Sequence, residues 1–373
     1  MTRARWVLCC FCLFAGLGSL AWAQDQATPP AGTLHLKKFT YLDREGMGIE
    51  AFSFLMPADW QFQGGIKWVL DNPGMPALAA LKVTSADRRL EMEVFPNMPF
   101  FWTDNQMLLS MFPPGSRYFG MEVMPPAEAT DVLHNVVIPR VRPGYQDLTI
   151  VDAQPLPDLA KSLAPPQQLP LGVSTSATAA KVRMEYTNGA QPVEEELYGV
   201  VEYLSMPIQS LYAYVTNINW TAQYLFSFKA PKGQLEPNAP LFQTMALSFR
   251  LNPLWFSKYV QLTEMLIRNQ IQHIQSMGEL SRYLSQTSNE ISDDMMRSYN
   301  ERQGVYDEIS KDFSHNILGI DEYQDPVAGQ PVELPSGYDN AWVNGLGEYV
   351  LSADPSFNPN VGANQNWQPM NRQ

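Results

Sequence analysis

Carboxylates near the C-terminus are the side chains of this sequence whose type and spacing could do chemistry. Between residues 319 and 373 the chain carries Asp321, Glu322, Asp325, Glu333, Asp339, Glu348 and Asp354. Two carboxylates flanking a sugar-binding cleft hydrolyse glycosides, so Glu333, Asp339 or Glu348 could act as acid or base. Carboxylate oxygens also bind calcium, but the spacing here fits no EF-hand loop. We therefore expect no cofactor and keep calcium as the alternative.

Aromatic and amide side chains in the same segment could instead hold a ligand. Exposed Trp and Tyr beside Asn and Asp are suited to carbohydrate. The ligand-binding candidates are Tyr338, Trp342, Asn344 and Tyr349. The alternative is that the aromatics form a small core of their own, because a domain of about 50 residues needs large side chains to be stable. The second interpretation is preferred.

Nucleophilic and transition-metal chemistry have no comparable support. Ser336 lies in P-S-G-Y rather than in the G-x-S-x-G turn of a hydrolase nucleophile. The histidines are scattered, without the paired spacing of a zinc site: His35, His134, His273 and His315. We predict no catalytic residue and no metal ligand. The consecutive Glu194, Glu195 and Glu196 are expected on the solvated face of a strand, where charged residues usually lie.

The N-terminus has the pattern of a secretory signal peptide. Arg3 and Arg5 precede an apolar run over residues 6–20, and Ala21-Trp22-Ala23 is an A-x-A cleavage site. All three cysteines (Cys9, Cys10 and Cys12) fall inside residues 1–23, so the mature chain is expected to be cysteine-free. No later stretch is long and apolar enough to span a membrane. The pattern predicts a periplasmic or secreted protein.

Composition limits the partners. The formal net charge is −13, and no basic residues cluster, so we expect no nucleic-acid partner. Hydrophobic residues make up 45% and aromatic residues 12% of the chain, which is typical of a globular protein.

Strand patterns dominate residues 34–252, which follow a flexible leader over residues 24–33. Alternating runs at residues 34–41, 49–56, 66–70, 77–84 and 90–95 predict an antiparallel sheet. Pro125-Pro126 begins a helix that extends to about Ile138. Residues 155–178 are rich in Pro, Ser and Thr and are predicted to be a linker.

Two hairpins are predicted beyond this linker. Residues 181–187 and 193–203 flank Asn188-Gly189, the favoured pair for a tight turn. Residues 211–218 and 223–229 form the second hairpin, and residues 238–247 form a short helix that ends near Ser248-Phe249-Arg250.

These features resemble a known fold. Phe52 to Trp60 read F-x-F-x-x-P-x-x-W, and antiparallel strands and a helix ending in Ser-Phe-Arg follow. The arrangement over residues 34–250 resembles the PsbP-type α/β sandwich. That resemblance implies binding or assembly rather than catalysis.

An apolar stripe with helical spacing then extends over residues 253–318. It predicts one long amphipathic helix or a helical hairpin, with Asn289 as a cap for the second helix. The stripe must be buried within the chain or against a second copy, so a homo-oligomer is the alternative to an intramolecular core.

Short strand patterns at residues 320–323, 331–334, 339–343 and 348–351 predict a β-meander over residues 319–373. Its V-E-L-P-S-G-Y-D and G-E-Y-V-L-S runs resemble the ending of uncharacterised exported bacterial proteins. That resemblance brings no activity.

The sequence therefore predicts an α+β protein with a PsbP-like antiparallel body, a long amphipathic helix or αα-hairpin, and a small C-terminal β-meander. The predicted function is non-enzymatic binding or assembly in the cell envelope, with a protein or glycan partner. An envelope hydrolase acting on glycan or peptide is the alternative.

Overall fold

The computed structural model describes residues 32–70, 75–163, 167–168, 172–209, 214–267, 293, 295–297, 299–300, 319–362 and 364–373. The described residues belong to one compact unit. Strands take up 49% of the described residues and helices 21%. The chain is mainly β, and the predicted α+β class is wrong.

The elements run in the following order. The strands are β1 (Thr33–Leu42), β2 (Glu50–Pro57), β3 (Gln61–Trp68), β4 (Ala77–Thr84), β5 (Glu91–Val94), β6 (Met98–Thr103), β7 (Arg117–Tyr118), β8 (Met121–Val123), β9 (Thr149–Pro155), β10 (Gln167–Gln168), β11 (Ser174–Asn188), β12 (Gln191–Gln209), β13 (Tyr214–Pro231), β14 (Arg250–Leu251), β15 (Ile320–Gln324), β16 (Pro331–Pro335), β17 (Asn340–Asn344), β18 (Glu348–Ser352), β19 (Trp367–Pro369) and β20 (Asn371–Arg372). The helices are α1 (Gln106–Met111), α2 (Ala129–Val132), α3 (Ile138–Val141), α4 (Pro157–Leu163), α5 (Leu235–Leu247) and α6 (Pro253–Ile267), with a π-helical turn (Leu133–Val137) between α2 and α3.

The smaller main sheet joins the two ends of the described chain. Its six strands have the order β14-β2-β1-β18-β17-β19. In the antiparallel pairing of β1 with β18, Leu36 lies opposite Tyr349. Leu36, Tyr349, Leu351 and Leu334 belong to one buried cluster. Strands from the two ends of the described chain therefore share a core.

This arrangement corrects the predicted C-terminal meander. The four strands form close to the predicted positions, but β15 pairs with β16 and β20 in a separate three-stranded sheet, whereas β17 and β18 extend the sheet that contains β1. Strands of five residues bury little surface when they pair only with each other. Pairing with the ten-residue β1 gives their apolar side chains a larger core.

The larger sheet has eleven strands. Its main path runs β10-β11-β12-β13-β5-β4-β3. The predicted first hairpin is confirmed as β11–β12, with Asn188 opposite Gln191 and Gly189 at a φ of 67°. The predicted second hairpin is wrong, because residues 214–231 form the single strand β13. No Gly or Pro interrupts residues 215–230, so the residues that most strongly end a strand are missing there.

Each face of the larger sheet carries its own core because neighbouring residues of a strand point to opposite sides. On β12, Leu197 packs with Val132, Leu133 and Val137 of the helical segment 129–141. The next residue, Tyr198, belongs to a core that includes residues of the smaller sheet, α5 and α6. The smaller sheet and these two helices cover one face, and the helical segment covers the other.

The helix predictions have mixed outcomes. The helix expected after Pro125-Pro126 is confirmed but begins at Ala129, and the helix expected over residues 238–247 is confirmed as α5. The predicted long helix is not found among the described residues, where its first part is the 15-residue helix α6. Most of its remainder, between residues 268 and 318, lies outside the described residues.

Some segment predictions fall on other elements or outside the described chain. Within the predicted linker 155–178, the described residues include α4, β10 and the start of β11. The predicted signal peptide lies outside the described residues, as does nearly all of the leader. Among the helices that the structure describes, none is long and apolar enough to cross a membrane.

Candidate apolar binding site

A cavity of about 250 Å³ lies between the two main sheets. Strands β2, β3, β4, β5, β13 and β14 contribute to it, as do helix α6 and the segments before β6 and β14. Its lining is Phe52, Ile66, Ala77, Leu78, Ala79, Leu81, Val94, Phe95, Asn97, Gln223, Tyr224, Leu225, Phe249, Leu251, Trp255 and Tyr259. Among these described residues none has a formal charge at neutral pH. The arrangement can hold an apolar molecule or part of one.

One wall of the cavity is an irregular point in β13. The register with β12 shifts between Tyr198 and Val200, so Gly199 faces both Tyr224 and Leu225. Tyr224 has a φ of 51°, an uncommon conformation for a residue with a Cβ. Such bulges bend a strand and change the direction of its side chains, and strained residues are frequent at binding sites.

The bulge also coincides with a break in pairing on the other edge of β13. Residues 217–222 pair with β6, and residues 226–229 pair with β5. The connection between β5 and β6 contains Phe95 and Asn97, and the Phe95 N–H donates to the Leu225 carbonyl at 2.8 Å. Two irregular segments therefore meet at the cavity, where regular strand pairing would have closed the space.

The opposite wall is held in place by a buried carboxylate. Asp43 is 0% exposed. It accepts hydrogen bonds from Nε1 of Trp255 at 2.8 Å, Nε1 of Trp68 at 3.2 Å and the backbone N–H of Met47 at 3.0 Å. Because charge-assisted hydrogen bonds are strong, Asp43 fixes Trp255, which lines the cavity. No local sequence pattern marks Asp43, whose partners lie up to 212 residues away.

Gly46 lies against Asp43 and Trp68, so a substitution at Gly46 tests how tightly this hydrogen-bonded group is packed. A Cβ at Gly46 would lie 2.0 Å from Trp68 Nε1 and 2.4 Å from Asp43 Oδ2. We expect Gly46→Ala to lower the free energy of unfolding by about 1–3 kcal/mol, the usual cost of overpacking. Urea unfolding measures this loss. Gly345→Ala is the control, since nothing lies within 4 Å of its added Cβ. Equal stability of the two variants would contradict the tight packing around Asp43.

The sequence-predicted ligand residues lie outside this cavity. Trp342 is 9% exposed and packs with Val350, Trp367 and Phe357. Tyr349 is 7% exposed, belongs to a different buried cluster, and donates its hydroxyl to Asp325 Oδ2 at 2.7 Å. Burial raises the pKa of Tyr349, and the hydrogen bond to Asp325 raises it further. The two rings contribute to different cores.

The other two predicted residues are also engaged within the protein. Asn344 is 1% exposed; its amide donates to Glu348 and Gln365 at 2.7 Å each, and its carbonyl oxygen accepts from the Leu346 N–H. Tyr338 is half-buried against the cluster that contains Tyr349, and burial raises its pKa. These contacts are those of a packed sheet and its turns.

The C-terminal carboxylates do not line the cavity either. Glu348 accepts from Asn344 and lies 3.8 Å from His35 Nε2. Burial is the largest influence on His35 and lowers its pKa, although the charge of Glu348 acts in the opposite direction. Asp325 accepts from the backbone N–H groups of Val327 and Ala328, which closes a turn. Among the described residues, no group of three or more His, Cys, Asp or Glu side chains could hold a metal.

The predicted exposure of the three consecutive glutamates differs most clearly from the structure. Glu195 is 0% and Glu194 3% exposed, so the expected solvated face is wrong. Arg142 donates to both carboxylate oxygens of Glu195, at 2.9 Å and 2.5 Å, and Tyr186 donates at 2.6 Å. Arg183 pairs with Glu194 at 2.8 Å. Buried charges need such partners, and the partners come from other elements that no local pattern identifies.

Comparisons with known proteins do not assign this chain to a family. No family model matches the chain, and no curated protein matches it. A solved structure described as "Crystal structure of MucB in complex with MucA(peri)" is similar at 11% identity, over 59% of this chain and 92% of that chain, with a TM-score of 0.10. A score of this size carries no argument about fold or function. The geometry of the cavity is therefore the basis for a functional conclusion.

Proposed function

We propose that this chain is an exported protein of the cell envelope that binds an apolar ligand in the cavity between its two sheets, without catalysing a reaction. The observation that carries the proposal is the cavity of about 250 Å³ with its uncharged, largely apolar lining. Periplasmic or secreted localisation rests on the signal-peptide pattern of residues 1–23.

The size of the cavity suits a small ligand or one end of a larger one. An apolar cavity of about 150 Å³ takes up benzene, with six carbons. By proportion, a cavity of 250 Å³ accommodates roughly ten carbon atoms. Naphthalene is a hydrocarbon of that size and serves as a defined probe.

The walls of the cavity also support binding because they are held before any ligand arrives. Asp43 holds Trp255 on one side, and the hydrogen bond from Phe95 to Leu225 holds the bulge on the other. A preorganised site loses less conformational entropy when the ligand binds.

Binding of naphthalene by the full mature chain, measured by equilibrium dialysis, tests the proposal. Ala77 lines the cavity and Ala80, on the same strand, does not. We expect Ala77→Phe to weaken naphthalene binding at least tenfold, because the added ring occupies the space of the ligand. Ala80→Phe is the matched control and should bind as the wild type does. Absence of binding by the wild type, or equal binding by both variants, would refute the proposal.

An assembly role is the second candidate, and exposed apolar side chains at one end of the larger sheet favour it. Met107 is 76%, Met111 63%, Phe119 84% and Tyr214 74% exposed. Hydrogen bonds between Asp104 and Thr216 tie the segment that follows β6 to the start of β13, close to Tyr214. Exposed apolar groups that lie close together often mark protein contact sites.

Light scattering coupled to size exclusion tests this second role. If the chain self-associates through this end, Phe119→Ser should shift the assembly toward monomer, since the ring loses its contact area. Val361→Ser is the control, because Val361 is also exposed, at 79%, but lies in the C-terminal segment. A wild type that is monomeric at high concentration, or an assembly that Phe119→Ser leaves unchanged, would contradict self-association through this end.

A further inference from the structure

We infer that the side-chain amides of Asn97 and Gln223 select the ligand, and that the cavity takes apolar molecules carrying an uncharged hydrogen-bonding group, such as an amide or hydroxyl, in preference to carboxylates. The inference rests on the proposed function. It adds the chemical class of the ligand and the two residues that recognise it.

The position of the two amides supports this role. Both side chains line the cavity and are half-buried. Asn97 lies between Phe95, which bonds to Leu225, and Met98, which is opposite Ala222. Gln223 lies between Ala222 and Leu225 on β13. The fold therefore brings the two amides to the same point of the cavity wall, beside the bulge.

Neither amide is engaged by the protein itself. Among the hydrogen bonds of the described residues, none involves the side chain of Asn97 or Gln223. In contrast, the amide of Asn344 has several partners within the chain. When a ligand displaces water from an apolar site, a polar side chain there is stabilised if a group of the ligand replaces the lost hydrogen bond. Each amide offers an acceptor oxygen and a donor NH₂ group.

The charges around the cavity disfavour an anion. No Lys, Arg or His is among the described lining residues, so a bound carboxylate or phosphate would lose water without gaining a positive partner. An unpaired buried charge is far more costly than a neutral polar group with a hydrogen bond. The net charge of −13 adds long-range repulsion.

Three ligands with the same ten-carbon ring system test the inference: naphthalene, 2-naphthamide and 2-naphthoate. Equilibrium dialysis at pH 7 against the full mature chain gives the three affinities. We expect 2-naphthamide to bind about tenfold more tightly than naphthalene, and 2-naphthoate to bind more weakly than both. One or two hydrogen bonds of ordinary net strength account for a gain of that size.

Variants assign the selectivity to the two residues. In the Asn97→Leu/Gln223→Leu double variant, the advantage of 2-naphthamide over naphthalene should fall to less than threefold, while naphthalene binds at least as well as before. Gln63→Leu is the control, because Gln63 is exposed on β3 and does not line the cavity. The ratio of affinities within one variant is unaffected by a uniform loss of folded protein.

The outcomes separate this inference from the proposed function. If the wild type binds none of the three ligands, the proposed function fails and the inference fails with it. If naphthalene binds but 2-naphthoate binds as well as 2-naphthamide, the cavity is a binding site and the inferred selectivity is wrong. If the double variant keeps the full preference for 2-naphthamide, other groups provide it and the assignment to Asn97 and Gln223 is overturned.

Discussion

Replacement of Glu195 by glutamine should lower the free energy of unfolding by about 3 kcal/mol at pH 7, the lower end of the range for breaking a buried ion pair. The substitution keeps the shape of the side chain but removes the charge that faces Arg142. Arg142 retains Glu93, which lies at 2.8 Å, and this second partner limits the loss. Urea unfolding followed by tryptophan fluorescence measures it.

The pH dependence of this difference follows from the pKa of Glu195. Burial raises that pKa, but the hydrogen bonds and charge of Arg142 outweigh burial and hold it below its ordinary value of 4.5. A carboxylate with a lowered pKa contributes its full stability above the ordinary pKa, and this contribution is lost as the pH falls through the folded-state pKa. The gap between wild type and Glu195→Gln should therefore be constant from pH 7 to about pH 5 and narrow below pH 4.5.

Glu236→Gln is the matched control for Glu195→Gln. Glu236 also pairs with an arginine, Arg183 at 2.7 Å, but its side chain is 72% exposed. Exposed ion pairs contribute about 0–1 kcal/mol, so this variant should stay close to wild type. A Glu195→Gln variant as stable as Glu236→Gln, or a gap that does not change in acid, would contradict a charged Glu195 held by Arg142.

Trp220→Ala should be the most destabilising single substitution considered for this protein, with a loss of about 3–5 kcal/mol, the range for truncating a buried aromatic residue. Trp220 is 1% exposed, and its ring stacks on Phe100 with centroids 4.1 Å apart. Its Nε1 donates to the Met124 carbonyl at 2.9 Å. The alanine variant leaves a cavity and removes the partner of that carbonyl.

Urea unfolding with circular dichroism measures this loss without relying on the substituted fluorophore. Tyr214→Ala is the control on the same strand, because Tyr214 is 74% exposed and should contribute little. Trp220 lies on the face of β13 that packs against the helical segment 129–141. A loss below 1 kcal/mol would mean that this core does not close around Trp220 as described.

The two variants probe the core on the side of the helical segment 129–141, where Glu195, Arg142 and Trp220 lie. Phe52 and Trp255, which line the cavity, belong to the core on the other side. Two other lining residues, Phe95 and Leu225, belong to the cluster that contains Trp220, and Arg142 lies over the ring of Phe95. The cavity therefore borders both cores.

Local features of the fold could be predicted from the sequence. The four C-terminal strands lie within about one residue of their predicted limits, and the hairpin around Asn188-Gly189 forms as expected. Alternation of apolar residues and the conformational preferences of turn residues act over a few neighbours, so they can be read from the sequence alone.

The candidate site could not be predicted in this way. Aromatic and amide residues are frequent in binding sites, and on that basis the sequence favoured Tyr338, Trp342, Asn344 and Tyr349. The same residue types are also used to build small cores, and these four make contacts of that kind. Asn97 and Gln223 have no distinguishing local pattern, since their proximity depends on the pairing of β6 with β13.

The sequence by itself determined where the four short C-terminal strands and the turn at Asn188-Gly189 form, and its N-terminal pattern predicted export. The tertiary structure alone decided that β18 pairs with β1, that Glu195 is buried against Arg142, and that a cavity opens beside the bulge at Tyr224. The physical reason is that strand pairing and burial depend on partners tens to hundreds of residues away. These partners are selected because together they bury the most apolar surface and leave few buried polar groups unpaired.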